Sequence, residues 1–186
     1  ALMLFGDVKI AYQDYEGQRS MSLGAERIVL FVEGDWTEAI DRKQFKAERI
    51  QGIYLEDNVV VTDGTYTVRA PQVFYDPEND RAILLDAVMY AYDIERQVPL
   101  YLRAKLLRQR SATSFEAEQA LLTTSEFAEP HFAIGVQRVI IEQFSREDGS
   151  TSQRYEAQGI TARAGDTPIG WWPAASGEAR DTAMVG

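Results

Sequence analysis

The sequence predicts an all-β domain of the sandwich, barrel or jelly-roll kind, and three observations predict it. Apolar and polar residues alternate with period two, densely in Val, Ile, Thr and Tyr across Val59–Thr67 and Ala82–Tyr92, as half-buried strands require. Turn signals separate the runs: Asp14 to Gly17, Asp63-Gly64, Asp76-Pro77-Glu78-Asn79-Asp80 and Arg146-Glu147-Asp148-Gly149-Ser150. Asp-Gly between two alternating runs is a strong hairpin signal. A two-part unit also recurs along the chain, and a repeated supersecondary unit builds a long surface. The spacing of runs and turns gives roughly ten to twelve short strands.

The first half of the unit reads apolar-x-(Gly/Asp)-x-Val-x-apolar. It appears as Leu4-x-Gly6-x-Val8-x-Ile10-x-Tyr12, as Leu55-x-Asp57-x-Val59-x-Val61 and as Leu84-x-Asp86-x-Val88-x-Tyr90-x-Tyr92. The second half reads apolar-x-Ala-x-x-apolar-x-apolar. It appears around Leu23, Ala25, Ile28 and Leu30, around Val68, Ala70, Val73 and Tyr75, and at Leu102, Ala104 and Leu107. In this second half the parity changes after Ala25, so strict alternation would send Ile28 and Leu30 to the other face. A bulge or corner after Ala25 keeps both pairs inward. Pro71 fills the same slot in another copy, and Pro is tolerated at bulges but not mid-ladder. A small residue followed by a corner suits a strand that bends from one sheet into another.

Two stretches are less regular. Trp36 to Gln44 is charged and reads as a helical turn or a loop. Ser111 to Gln119 has Ser, Thr, Glu and Ala content that favours a helix locally, ahead of the strand-like Leu121-Leu122-Thr123-Thr124. The stretch from Ser176 to Gly186 is small and polar and reads as a disordered tail, leaving residues 1–175 as the folded domain.

At 186 residues, 45% of them apolar, the chain has enough material for one domain with a real core. Its formal charge is 19 − 29 = −10. Nucleic acid is thereby disfavoured, since phosphate binding needs clustered Lys and Arg. Simple adsorption to an anionic membrane is disfavoured for the same reason. With no Cys, disulfides and thiolate chemistry are excluded. No run approaches the ~20 apolar residues of a membrane helix. No signal peptide is visible, and a chain opening on Ala1 fits a mature form or a piece of a longer protein.

Candidate chemistry is sparse. His131, the one histidine, follows Pro130 in a predicted loop and cannot alone make a zinc site. No nucleophile motif and no P-loop is present, so no enzyme activity, metal or cofactor is expected. Asp76–Asp80 has calcium-like acidity but lacks the glycine and closing glutamate of an EF-hand, and Pro77 makes a plain turn simpler. Glycosidase carboxylates are defined by spacing in space, and no pair stands out in sequence. The adjacent Trp171 and Trp172 should point to opposite faces if they lie in a strand. They read as a cap on the core or as a contact for a partner. Val8, Ile10, Tyr12, Val59, Val61, Val88 and Tyr90 form an apolar stripe. In a closed sandwich this stripe is core, and between splayed sheets it lines a trough; periodicity does not separate the two.

Ile53-Tyr54-Leu55-Glu56-Asp57-Asn58-Val59-Val60-Val61, then Tyr66-Thr67-Val68-Arg69-Ala70 and Val73-Phe74-Tyr75-Asp76, resembles the OstA/LptA-type repeat of lipopolysaccharide-transport proteins. The resemblance extends through Ala82–Tyr92, Leu100–Gln109, Ala120–Thr124 and Phe132–Ile141, covering most of residues 2 to 173. The late order, ending in Thr167-Pro168-Ile169-Gly170-Trp171-Trp172-Pro173, is similar to the periplasmic domain of the LptD-type branch, which precedes an outer-membrane barrel. Asp57 stands where the repeat has Gly, and Val136 in an Ala slot. Nothing after Pro173 resembles barrel strands, and without Cys the disulfides of some members cannot form.

The resemblance implies an open β jelly roll (a β-taco) of repeated antiparallel units, located in the periplasm or at the outer membrane. It implies a non-enzymatic conduit for lipopolysaccharide or a related lipid. The groove residues would be Val8, Ile10, Leu23, Ile28, Val59, Val61, Val68, Val73, Val88, Tyr90, Leu102, Leu121, Ile134 and Val139. The implied partners are the lipid, other jelly-roll transport proteins joined by edge-strand pairing, and an outer-membrane barrel, C-terminal or separate. Phe5, Tyr12, Trp171 and Trp172 are the edge and partner candidates. A structural β-sandwich with a dry core and a carbohydrate-active jelly-roll enzyme are the competing readings.

Overall fold

A computed structural model of the protein describes residues 1–13, 20–34, 49–62, 66–93, 97–111, 113–127, 129–145 and 151–180. The turns expected at Asp14–Gly17, Asp63-Gly64 and Arg146–Ser150, and the Trp36–Gln44 stretch, lie outside those residues. The described residues form ten strands and no α-helix: β1 (Leu2–Gln13), β2 (Ser20–Val32), β3 (Ile50–Thr62), β4 (Tyr66–Asp76), β5 (Arg81–Asp93), β6 (Val98–Ser111), β7 (Ser114–Thr123), β8 (Phe132–Ser145), β9 (Thr151–Ala164) and β10 (Thr167–Arg180). All are antiparallel and pair in simple sequence order, β1 through β10, in a single sheet that does not close into a barrel. The fold is the all-β open jelly roll. At about 4.8 Å per inter-strand step, the sheet runs about 43 Å from β1 to β10.

The strands are long, 10 to 14 residues each, because every one of them bends in the middle. The bend is marked by left-handed backbone on each odd-numbered strand: Gly6 and Asp7 in β1, Asp57 and Asn58 in β3, Asp86 in β5, Gln119 in β7 and Gly159 in β9. Gly6, Asp57 and Asp86 are the Gly/Asp slots of the repeat, and Gly, Asp and Asn are the residues that adopt this conformation at least cost; Gln119 is the exception. The register shifts at the same level, between Phe5 and Val8, Gly24 and Arg27, and Glu56 and Val59. The corner anticipated after Ala25 is there, but the left-handed residues stand on its neighbours rather than on β2.

Beside this crease the inward positions are small. Ala25, Ala70, Ala87, Ala104 and Ala120 are all buried there, between 2% and 7% exposed. Ala87 pairs with Ala104, and Ala104 with Ala120. Two arms of one sheet converge at a crease, so little side-chain volume fits. Ile28 and Leu55 from one arm and Val59 from the other are essentially sealed, at 0%, 0% and 1%, and belong to one core.

The Gly-to-Asp departure at position 57 has a local rationale. Arg27 of β2 donates to the Asp57 carboxylate at 2.7 Å and lies 3.3 Å from Glu56, and Asn58 donates to Glu26. These pairs brace the β2–β3 corner from outside. Two expectations differ from the structure. Ser111–Gln119 is not helical: residues 114–123 are strand, because β6 and β8 pair with them on both sides. Ser176–Arg180 belongs to β10 and pairs with Ser152–Glu156 rather than starting a tail; residues 181–186 lie outside the described set. The stretch after Asp76 is the plain turn expected, held by its own side chain, with Glu78 and Asn79 backbone N–H donating to the Asp76 carboxylate.

Left-handed non-glycine residues are strained by about 1 kcal/mol, partly offset by the unfolded-state entropy of glycine. Asp86→Gly and Gln119→Gly should therefore leave stability unchanged or raise it by up to about 1 kcal/mol in urea unfolding, and Asp86→Val should lower it. Asp57→Gly should be closer to neutral, since it also removes the Arg27 pair. Leu55→Ala, in the sealed part of the core, should cost about 2–5 kcal/mol.

Candidate functional site

The inner surface of the folded sheet is the most organised feature of the molecule. In the arm holding the start of β1, one row runs Leu4, Ile28, Leu55, Val73, Leu84, Leu107, Ala117, Val139, Ala157, Ala175 across all ten strands without interruption. In the other arm a matching row runs Ile10, Leu23, Val61, Val68, Met89, Leu102, Leu122, Ile134, Ala162, Gly170. No position in either row is charged or polar. The small crease residues lie between them. Two opposed apolar rows with a floor of alanine make a trough whose long axis crosses the strands.

The strand pairings sort the sequence candidates. Val8, Ile10, Leu23, Ile28, Val59, Val61, Val68, Val73, Leu102, Ile134 and Val139 all stand on the inner face. Val88, Tyr90 and Leu121 do not. Val88 pairs with Arg69 and Arg103 on the outer face, and Tyr90 lies 40% exposed with its ring 5.2 Å from that of Tyr101. Leu121 pairs with Arg103 and Gly135, again outside. Their inner counterparts are Ala87, Met89 and Leu122.

The cause is the crease. β1 and β3 carry two left-handed residues each, so parity is restored and Val8 and Val59 stay inward. β5 and β7 carry one, so parity flips across Asp86 and Gln119. On the odd-numbered strands the number of left-handed residues, invisible to simple alternation, decides which face the next residue takes.

The edge candidates lie on the two edge strands: Phe5 and Tyr12 on β1, Trp171 and Trp172 on β10. The two Trp residues face opposite sides. Trp171, 65% exposed, pairs with Thr161 outside, whereas Trp172 pairs with Ile160 on the inner face. The edges differ chemically, because β10 contains Pro168 and Pro173 and β1 contains no proline. Proline removes a ladder donor and blunts an edge, which leaves β1 the better template for another strand.

The trough is not equally covered along its length. Near β2–β5 its residues are sealed. Toward β10 the inner-face residues Leu122, Ile134, Tyr155 and Trp172 are 40%, 47%, 39% and 51% exposed. Outside, the two halves differ as well. Met3, Phe5, Phe31, Phe74, Ile83 and Leu85 are exposed on the outer face of β1–β5; of these only Phe5 was a sequence candidate, because alternation says nothing about a strand's outer residues.

The outer face of β6–β9 carries further ion pairs. Arg108 pairs with Glu118, and Arg138 donates to Glu116 at 2.6 Å with Arg110 3.9 Å away. The Arg138 hydrogen bond is the main reason the Glu116 carboxyl is held below its ordinary pKa, against the opposing effect of burial. Among the described residues no group of His, Asp or Glu could hold a metal ion, and no helix is long and apolar enough to cross a membrane. His131 borders a hollow of about 300 Å³ on the outer face with Glu129, Arg163 and Asp166, and its carbonyl accepts from Gly165 N–H. A scan against protein-family models finds no match to this chain, and no curated protein matches it.

Because the Glu116 pKa is lowered on folding, its contribution to stability is present above the unfolded carboxyl value and is lost as pH falls through the folded value. Unfolding midpoints measured from pH 6 down to pH 3 should therefore drop. In Glu116→Gln the drop should be shallower, with lower stability at neutral pH.

Proposed function

We propose that this chain is a non-enzymatic lipid-conduit domain of the OstA/LptA type, nearest the LptD-type periplasmic domain. It shields the acyl chains of lipopolysaccharide or a related lipid on the way to the outer membrane. The observation that carries the reading is the pair of uncharged rows spanning all ten strands, with half-exposed apolar residues along part of them. An alkyl chain gains about 0.8 kcal/mol for each methylene buried. Eight methylenes would give about 6 kcal/mol before ordering costs, without any directional contact. A chain can therefore be held and also passed on.

The repeat motifs on which the resemblance rests map onto the parts that build the trough. The Gly/Asp slots form the crease, and the Ala slots line its floor. The unpaired edge of β1 suits strand addition by a second jelly-roll transport protein. A periplasmic or outer-membrane location, and a barrel partner, follow from the same resemblance. The dry-core sandwich is favoured at one end only, where Ile28, Leu55 and Val59 are sealed.

The decisive measurement is uptake of a fluorescent lipid A analogue by the purified protein, together with native mass spectrometry of the lipid-exposed sample. Saturable uptake is expected, abolished by Leu122→Arg on the inner face and retained by Val88→Arg on the outer face. A folded wild-type protein that takes up no lipid would overturn the proposal.

A further inference from the structure

Resting on that reading, we infer that the alkyl chain occupies only the β7–β10 half of the trough, held between two aromatic plates, Trp172 in one arm and Tyr155 in the other. The β2–β5 half is then a packed anchor rather than a part of the path. Both rows are apolar from end to end, but the exposure of their residues differs. In the continuous row of one arm, Leu23 and Val68 are 3% and 5% exposed, whereas Leu122 and Ile134 are 40% and 47%. An alkyl chain cannot enter the first region without prising apart Ile28, Leu55 and Val59. In the second region the surface is already open.

The plates are set by two glycines of the edge strand. Gly170 stands in the row of Ala162, and a Cβ placed there would come within 2.7 Å of the Trp172 indole. Gly177 pairs with Tyr155 in the other arm, and a Cβ there would come within 2.6 Å of the Tyr155 hydroxyl. Each ring therefore lies over a bare stretch of β10 backbone rather than standing off it. Aromatic rings covering edge glycines are a known device for finishing a sheet edge. Here they also give both arms a broad apolar surface at the open end, with left-handed Gly159 and Pro173 at the crease between them.

The chemistry of the lining selects the occupant. Leu122, Ile134, Ala162, Ala157, Val136 and Trp172 offer apolar surface and almost no hydrogen-bonding group. A polypeptide strand lying there would bury amides with nothing to bond, a penalty that falls on each unpaired group. An alkyl chain has no such groups. An exposed apolar surface of this kind, on a protein of net charge −10, marks a binding surface.

The test uses the three tryptophans, Trp36, Trp171 and Trp172. In Trp36→Phe/Trp171→Phe, Trp172 is the sole emitter, and a chain-dibrominated fatty acid should quench it saturably. In Trp36→Phe/Trp172→Phe, the outer-face Trp171 should stay unquenched. Gly170→Ala, which displaces the indole without adding charge, and Ile134→Arg should each weaken uptake about tenfold or more, with circular dichroism melts showing a folded sheet.

Quenching of Trp171 and Trp172 alike, or normal affinity in both Gly170→Ala and Ile134→Arg, would overturn the inference while leaving lipid uptake intact. Sedimentation showing a dimer that shields Trp172 and excludes the fatty acid would also overturn it, in favour of a second copy as the occupant. No uptake by any folded form would remove the conduit reading itself.

Discussion

A hydrogen-bonded sheet can fold over on itself only if every strand turns at the same level, because each strand is tied to its neighbours along its whole length. That requirement governs this molecule. Gly6–Asp7, Asp57–Asn58, Asp86, Gln119 and Gly159 form one line of left-handed backbone across the odd-numbered strands, and the even-numbered strands meet that line with Ala25, Ala70–Pro71, Ala104, Val136 and Pro173. The turn brings the arms together, the convergence demands small side chains, and the alanines supply them. Burial of Ile28, Leu55 and Val59 follows from the turn, as does the existence of an inside at all. The outer-face pairs of Arg27 with Asp57 and Asn58 with Glu26 act on the crease, but as exposed contacts they contribute little compared with the packing it creates.

The same geometry explains how one sheet can have both a core and an open surface. The sealed residues cluster near β2–β5, where large side chains from both arms interlock. Toward β10 the inner residues shrink to Ala157, Ala162, Gly170, Ala175 and Gly177, and those side chains cannot reach the opposite arm. The gap is bordered by two aromatic rings instead of being filled. The sealed core and the open inner surface thus lie at different ends of one structure. The charged pairs outside β6–β9 support that thinner end from the outer face, Glu116 with Arg138 most closely.

Much of the fold was legible because its determinants are local. Alternation located the strands, and the parity change after Ala25 located the crease. The dipeptide Trp171-Trp172 indicated one ring on each face, as the pairing shows. What was not legible depends on events between strands. Val88 and Tyr90 look like Val59 and Val61 in sequence, yet they face outward because Asp86 is a single left-handed residue where Asp57 and Asn58 are two. Leu121 and Leu122 are adjacent and chemically identical, and only pairing with Ile134 identifies Leu122 as the inner one. Ser111–Gln119 has helical propensity that two flanking strands override. Ser176–Arg180, small and polar, is held in the sheet by pairing with β9.

Because each strand carries its own share of the crease, the cross-section of this molecule does not depend on how many strands it has. Adding or deleting one hairpin would lengthen or shorten the structure by about 10 Å and leave every other layer as it was. A barrel has no such freedom, since its diameter and strand number are linked. Length is therefore a quantity that evolution, or a protein engineer, can adjust in whole hairpins without redesigning the interior.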